Sequence, residues 1–336
     1  MTVRQTRRGF LTSASMALSA TLLGDPPAAA EEPLETTSLR LFKSPSLCSA
    51  PQYVAEELLR AEGFTDIRFI AGTSAEVIDA VARNRIDFNM HYGSGWVSAI
   101  DNGSPVTILA GVHVGCFALF VQNGIDSVVD LRGKSIAFSG GGLGSSQQLF
   151  AAIIVARVGL DPAKDVRWVP SPTPELIALF ADGKVDAFLG VPPQVQEAHA
   201  RRLGHVLINS SLDDPWSQYF CCMWAGNRDF VRANPVATKR VLRAILKATD
   251  LCASNPAGVA QRLVDGRFTS ARYEYVQEAV CAIPYDKWRE YDAEDTIRFY
   301  ALRLHDVGLI KSTPQKIIAD GTDWRFLNKL KRELKA

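Results

Sequence analysis

Three observations in the 336-residue chain predict an α/β fold of two similar lobes. Strand-like and helix-like runs alternate from Leu39 to about Asn209, most strands end in a polar or glycine-bearing turn, and one helix–stop–strand unit occurs twice. In the first copy Val77, Ile78, Ala80 and Val81 form the apolar side of a helix, Asn84 stops it, and Ile86-Asp87-Phe88 opens a strand. In the second, Leu176, Ile177, Leu179 and Phe180 are followed by Gly183 and Val185-Asp186-Ala187-Phe188. Repeated α/β units whose strand ends face a common gap are the simplest architecture with this pattern.

In chain order, Arg7-Arg8-Gly9-Phe10-Leu11, an apolar run to Leu23 and Ala28-Ala29-Ala30 read as a twin-arginine export signal over residues 1–30. The apolar run is too short to span about 30 Å of hydrocarbon. Strands are then expected at Leu39–Phe42, Ile67–Ile70, Ile86–Met90, Val106–His113 and Cys116–Val121, the last two suited to a chain passing between lobes. Helices are expected at Gln52–Glu62 and Ala75–Arg83, the second capped by Gly72-Thr73-Ser74. Further strands follow at Ser135–Phe138, Trp168–Val169, Val185–Phe188 and Leu203–Asn209, with Trp216–Ala225 as a return crossover. Beyond Asn234 the pattern turns helical; Val241, Ala244, Ile245, Ala248, Leu251 and Cys252 share one face, and the basic face carrying Lys239, Arg240, Arg243 and Lys247 reads as solvated.

Composition excludes several classes. The 37 basic and 36 acidic residues fall to 34 and 35 when Arg4, Arg7, Arg8 and Asp25 leave with the leader, so no basic field for nucleic acid remains. A hydrophobic content of 47% over some 300 residues supports a large core. The six cysteines, Cys48, Cys116, Cys221, Cys222, Cys252 and Cys281, are scattered without a C-x-x-C pair or a Cys/His cluster, so neither a zinc site nor any other metal or cofactor is expected, and no disulfide is assigned. No nucleophile elbow, H-E-x-x-H or paired-acid signature is present, so no catalytic residue is named. His199, His205 and His305 read as structural or surface groups, whereas His91 and His113 end strands beside glycines and are the better ligand candidates.

The stretch from Ser139 to Ser146, with glycines at 140, 141, 142 and 144, joins a strand to a helix running from Gln147 to Val158. Such a turn admits two readings. Its free N–H groups and helix dipole suit an oxyanion, or its glycines only make a tight turn and a serine only caps the helix. A dinucleotide fingerprint counted from Gly140 fails at Ser145, and no Gly-Lys-Ser/Thr follows for a P-loop. Four further strand-end turns, Ser44–Cys48, Gly72–Ser74, His91–Trp96 and Gly190–Pro193, are expected to share one crevice with it. Lys43 is the lone cation nearby, and Tyr92, Trp96, Trp216 and Tyr219 are candidates to cover an apolar or aromatic group.

The segment order resembles the type II periplasmic substrate-binding proteins of ABC importers, in the group that binds aliphatic sulfonates, nitrate, taurine and thiamine-pyrimidine precursors. Residues Ala50–Glu57, Arg85–Phe88, Asp130–Lys134, Gly140–Ser146, Gly159–Pro162 and Gly183–Ala187 carry the likeness, which covers nearly all of Leu39 to Leu330. The resemblance implies two lobes, each a mixed sheet flanked by helices, joined by two crossover strands: a first lobe from residues 39–115, a second from 116–218, and a return to the first with C-terminal helices over 219–336. It implies a monomeric, non-enzymatic, periplasmic receptor that closes on a small organic anion and delivers it to an inner-membrane permease. Leu47-Cys48, where many relatives carry smaller or polar residues, and His91-Tyr92-Gly93-Ser94 are departures from the family that favour a larger organic anion, a sulfonate, carboxylate or similar group with an aromatic body as one option, over nitrate or a simple sulfonate. The expected ligand-binding residues are Ser46, Cys48, Thr73, His91, Tyr92, Ser94, Gly141, Gly142, Ser145, Ser146, Pro192 and Tyr219, with the two serines at 145 and 146 donating hydrogen bonds. The alternative is binding or synthesis of a thiamine-pyrimidine precursor, since Phe220-Cys221-Cys222-Met223-Trp224 is similar to, without matching, a cysteine-rich segment of that branch.

Overall fold

The computed structural model describes residues 31–43 and 46–334; the segment expected to be an export signal and Ser44-Pro45 of the first strand-end turn lie outside the described residues. Among the described residues ten strands form two five-stranded sheets. The first contains β1 (Ser38–Lys43), β2 (Asp66–Ala71), β3 (Phe88–Tyr92), β4 (Val106–Val114) and β10 (Phe220–Asn227), in the order β2-β1-β3-β10-β4. The second contains β5 (Ala118–Val121), β6 (Ser135–Phe138), β7 (Arg167–Pro170), β8 (Ala187–Gly190) and β9 (His205–Asn209), in the order β7-β6-β8-β5-β9.

Both sheets are built on one plan. Each has a parallel trio, β2-β1-β3 or β7-β6-β8, followed by an antiparallel strand and an outer strand. Each crossover leads into the antiparallel strand of the sheet it enters, β5 in the second sheet and β10 on the return to the first. The sequence repeat maps onto this plan, because β3 and β8 hold equivalent positions. Its aspartates also act alike. Asp87 accepts from the Arg40 backbone N–H of β1 at 2.6 Å, and Asp186 accepts from the Ser135 N–H of β6 at 2.8 Å. Each carboxylate therefore fastens the start of the central parallel strand beside it, which explains why an Asp opens both copies.

The Ser146–Arg157 helix starts one residue before its expected position, with Ser145 as N-cap, whereas the single helix expected at Gln52–Glu62 divides into Ala50–Val54 and Glu56–Ala61. Ala55 between them has a ψ of −7°, too shallow to continue the α-helical ladder. Apolar side chains of the first sheet and the C-terminal helices make the main core, and Phe120, Phe180 and Phe188 centre a smaller one in the second sheet. The Pro235–Ser254 helix buries Val241, Ala244, Ile245, Ala248 and Cys252 as expected, with Leu251 half-buried. Its basic face corrects the expectation of simple solvation. Arg243 forms an ion pair with Glu62, which is only 8% exposed, and Arg240 donates to the Glu62 carbonyl at 3.0 Å.

Candidate functional site: a cleft at six strand ends

The carboxyl ends of both parallel trios open onto one cleft of about 860 Å³. Ser46 follows β1, Gly72 to Ala75 follow β2, and Tyr92 ends β3; opposite them stand Ser139 to Gly142 after β6, Pro170 to Thr173 at and after β7, and Val191 to Gln194 after β8. Among the described residues, none that lines the cleft carries a charge. A recess of about 230 Å³ shares Ser74, Ala75, Gly140, Gly141 and Gln147 with the cleft and adds His91, Ser145 and Ser146.

The glycine turn is required by close approach. Gly140 and Gly141 have φ of 99° and 107°, a region that L side chains rarely adopt. A Cβ on Gly140 would lie 2.3 Å from Gln147 Oε1, and one on Gly141 would lie 2.8 Å from Ala75 Cβ on the opposite wall. The helix that follows is capped by its own sequence, since the Gln148 N–H donates to Ser145 Oγ at 3.4 Å. Among the described residues no hydrogen bond engages the N–H groups of Ser146 and Gln147 or the side-chain amide of Gln147. These donors are the polar groups of the glycine wall left for a ligand.

Of the residues expected to bind ligand, Ser46, Thr73, Tyr92, Gly141, Gly142 and Pro192 line the cleft, and His91, Ser145 and Ser146 line the recess. Thr73 is already engaged: its Oγ1 donates to Glu76 at 2.8 Å within a capping box. Ser146 Oγ and His91 Nε2 lie 3.0 Å apart, and Ser94 Oγ donates to the Ser146 carbonyl at 3.1 Å, so Ser146 binds both His91 and Ser94 across the gap. Burial pushes His91 down to about 4, keeping its ring neutral at physiological pH.

Three expectations are corrected. Cys48 and Ser94 are buried at 2% and 1% exposure and line neither space, and Tyr219 stacks on Phe299 at 3.9 Å, also away from both. Of the four aromatic candidates Tyr92 alone lines the cleft; Trp96 is held by its Nε1 on the Met223 carbonyl, and Trp216 packs against Phe150 and Phe299. Lys43 places its Nζ 4.7 Å from the Phe268 ring centre and does not line the cleft. Gln147, Gln194, Ser171 and Thr173 are lining residues that the sequence reading missed. Counting the end of β7 with the other parallel strand ends would have found Ser171 and Thr173.

The sequence reading also expected no Cys/His cluster, and the fold assembles one. Cys48, His113 and Cys222 have their donor atoms within 4.8 Å of one another, as do Cys116, Cys221 and Cys222, and all five side chains are buried. Sheet register brings Cys222 opposite both His113 of β4 and Tyr92 of β3. His113 Nε2 lies 3.1 Å from the Cys48 carbonyl, and Nδ1 lies 3.1 Å from the carbonyls of both Val114 and Gly115. Burial opposes charge on this ring, but Cys222 and the Val114 and Gly115 carbonyls outweigh it and raise His113 above the usual imidazole range. Burial likewise opposes a Cys222 thiolate, yet hydrogen bonds from Cys116, Cys221 and Cys48 and the charge of His113 hold it well below the usual thiol range.

A nitrate/nitrite binding protein, NrtA of Nostoc sp. strain PCC 7120, is 24% identical over 326 residues, covering 86% of this chain and 72% of the relative. The bicarbonate transport ATP-binding protein CmpC of Synechococcus elongatus is 25% identical over 267 residues, and this chain spans only 40% of its length. The solved periplasmic nitrate-binding protein NrtA from Synechocystis PCC 6803 superimposes with a TM-score of 0.77 at 15% identity, with 90% of each chain covered. The alkanesulfonate-binding protein SsuA of Xanthomonas axonopodis pv. citri, bound to MOPS, gives 0.72 at 18% identity over 87% of this chain and all of that one. The fold is thus the two-lobed one of periplasmic binding proteins. The NMT1-like family model matches residues 32–264, more than half of the chain, and the chain belongs to that family.

Proposed function

We propose that this protein is the exported solute receptor of an ABC-type importer, a non-enzymatic monomer that binds a small organic anion in the cleft and passes it to a membrane permease. In this reading residues 1–30 are removed on export to the periplasm, residues 39–115 and the segment from 219 form one lobe, and residues 116–218 form the other. The observation that carries the reading is the uncharged cleft at six strand ends, with a helix N-terminus on one wall. Its volume of about 860 Å³ suits a drug-sized guest rather than an ion of four atoms. In the absence of a lining cation, an anionic group is stabilised by the Ser146 and Gln147 N–H groups, and Tyr92 with Pro192 faces the organic part. The cleft lining holds both the Gln147 amide and the Tyr92 ring, a combination that also favours a pyrimidine, the second reading.

Thermal unfolding of residues 31–336 against sulfonates, nitrate, aromatic carboxylates, pyrimidines and amino acids tests both. A ligand at a hundredfold excess over its Kd stabilises by about 2.7 kcal/mol and raises the midpoint visibly. A saturable rise with one class and no turnover supports the receptor; a rise with a pyrimidine supports the second reading. Consumption of the bound compound refutes the non-enzymatic assignment.

A further inference from the structure

We propose that Cys48, Cys116, Cys221 and Cys222 form a buried four-thiolate site for a thiophilic closed-shell cation, zinc(II) or copper(I), where the segment between β4 and β5 meets the start of β10 and the turn after β1.

Two features of the fold build this site. Successive side chains in a regular strand point to opposite faces, so adjacent Cys221 and Cys222 should diverge. Instead β10 slips register against β4 between Phe220 and Cys222 and again between Cys222 and Met223. A bulge of this kind re-aims a side chain, and it accounts for both sulfurs converging with that of Cys116, all three within 4.8 Å of one another. Cys116 comes from the short segment between β4 and β5, and Cys48 comes from the turn after β1. Three separate parts of the chain therefore supply the sulfurs.

The donor set selects the ion class. Thiolates prefer soft cations, and four sulfurs in a dry pocket match a closed tetrahedral zinc site or a copper(I) site of lower coordination. In a tetrahedron with Zn–S of about 2.3 Å the sulfurs stand about 3.8 Å apart, inside the 4.8 Å that bounds the Cys116, Cys221 and Cys222 trio, and Cys48 joins it through Cys222, which lies within that same distance of it. His113 serves the site from outside. Both its ring nitrogens face backbone carbonyls, so the ring is turned to the backbone and leaves the metal to the four sulfurs. Tyr285 packs edge-on against that ring at 5.2 Å, is 1% exposed, and its hydroxyl has no hydrogen-bond partner among the described residues. An orphaned buried hydroxyl beside the cluster marks a polar environment that protein atoms alone leave incomplete.

The full chain, purified under reducing conditions, is assayed for bound metal by elemental analysis, then stripped and titrated with cobalt(II), zinc(II) and copper(I) separately. Stoichiometric cobalt uptake with thiolate-to-cobalt absorption, displaced by zinc, supports the zinc form. Tight copper(I) retention against a chelator without cobalt absorption supports the copper form. Cys116→Ser and Cys222→Ser should each abolish uptake, while Cys252→Ser and Cys281→Ser retain it. Should the first two variants fail to fold, thiol protection in the wild type decides: metal-loaded chain should hide four more thiols from an aromatic disulfide reagent after mild unfolding than stripped chain does. No uptake of any of the three ions, uptake unaffected in folded Cys116→Ser and Cys222→Ser, or disulfides among the four cysteines in the native chain overturns the assignment.

Discussion

Replacing Gly141 by alanine separates backbone strain from closure of the cleft. At φ of 107° an alanine is strained by about 1 to 3 kcal/mol, and its Cβ would meet Ala75 Cβ at 2.8 Å, about 1 Å inside ordinary carbon contact. The strain acts whether the lobes are together or apart, so it lowers folding stability. The Ala75 contact exists only where the two walls approach, so relieving it widens the cleft and weakens the ligand. Gly144→Ala supplies the control, with φ of 83° and nothing within 4 Å of the added methyl. Both variants should unfold a few degrees early in a thermal melt. By calorimetry with the ligand found in the panel, Gly141→Ala should bind about tenfold more weakly, some 1.4 kcal/mol, and Gly144→Ala like the wild type. Equal affinities for the two variants would refute the closure argument.

Gln147→Leu removes the free amide of the glycine wall and should weaken the same ligand by about 1 kcal/mol, roughly fivefold, without altering the melt; unchanged affinity would remove Gln147 from the site. His91, held at about 4 rather than 6.5, is neutral in the folded chain while the unfolded chain takes up a proton between those values. Stability is therefore full above pH 6.5 and falls by about 3 kcal/mol as pH drops to 4. His113, raised instead, contributes no slope in that window. Urea titrations of His91→Gln should show a flatter profile between pH 6.5 and 4, and an unchanged slope would show that His91 is not the responsible group. Glu62→Ala removes the buried carboxylate that pairs with Arg243 and should cost about 3 kcal/mol in urea unfolding; a loss under about 1 kcal/mol would show the pair to be solvent-screened.

Local pattern made much of the fold legible. Alternating runs located the ten strands to within a few residues, and the repeat around Asp87 and Asp186 exposed a plan shared by both sheets, because equivalent positions require the same strand-start contact. The strand-end rule led to the cleft through its turns, yet it could not distinguish Tyr92 from Tyr219, since which ring faces the gap depends on whether Phe299, 80 residues later, stacks on it. Thr73 and Ser146 look like free hydroxyls in sequence and are engaged by Glu76 and His91. The thiol cluster was illegible for a different reason. Metal motifs are recognised by short spacing, whereas these cysteines converge through sheet register and a bulge that no linear spacing encodes.

The position of β10 also orders the events of folding. Strands β5 to β9 are contiguous, so the second sheet can close from residues 118–209 alone. The first sheet cannot, because β10 lies between β3 and β4 and reaches them only after that whole intervening segment has been made. Joining β3 to β10 closes a loop of more than 120 residues, which costs more chain entropy than any pairing in the second sheet. On a ribosome the middle of the polypeptide is thus first to mature, and the earliest-synthesised strands wait, with an open edge, for the return of the chain.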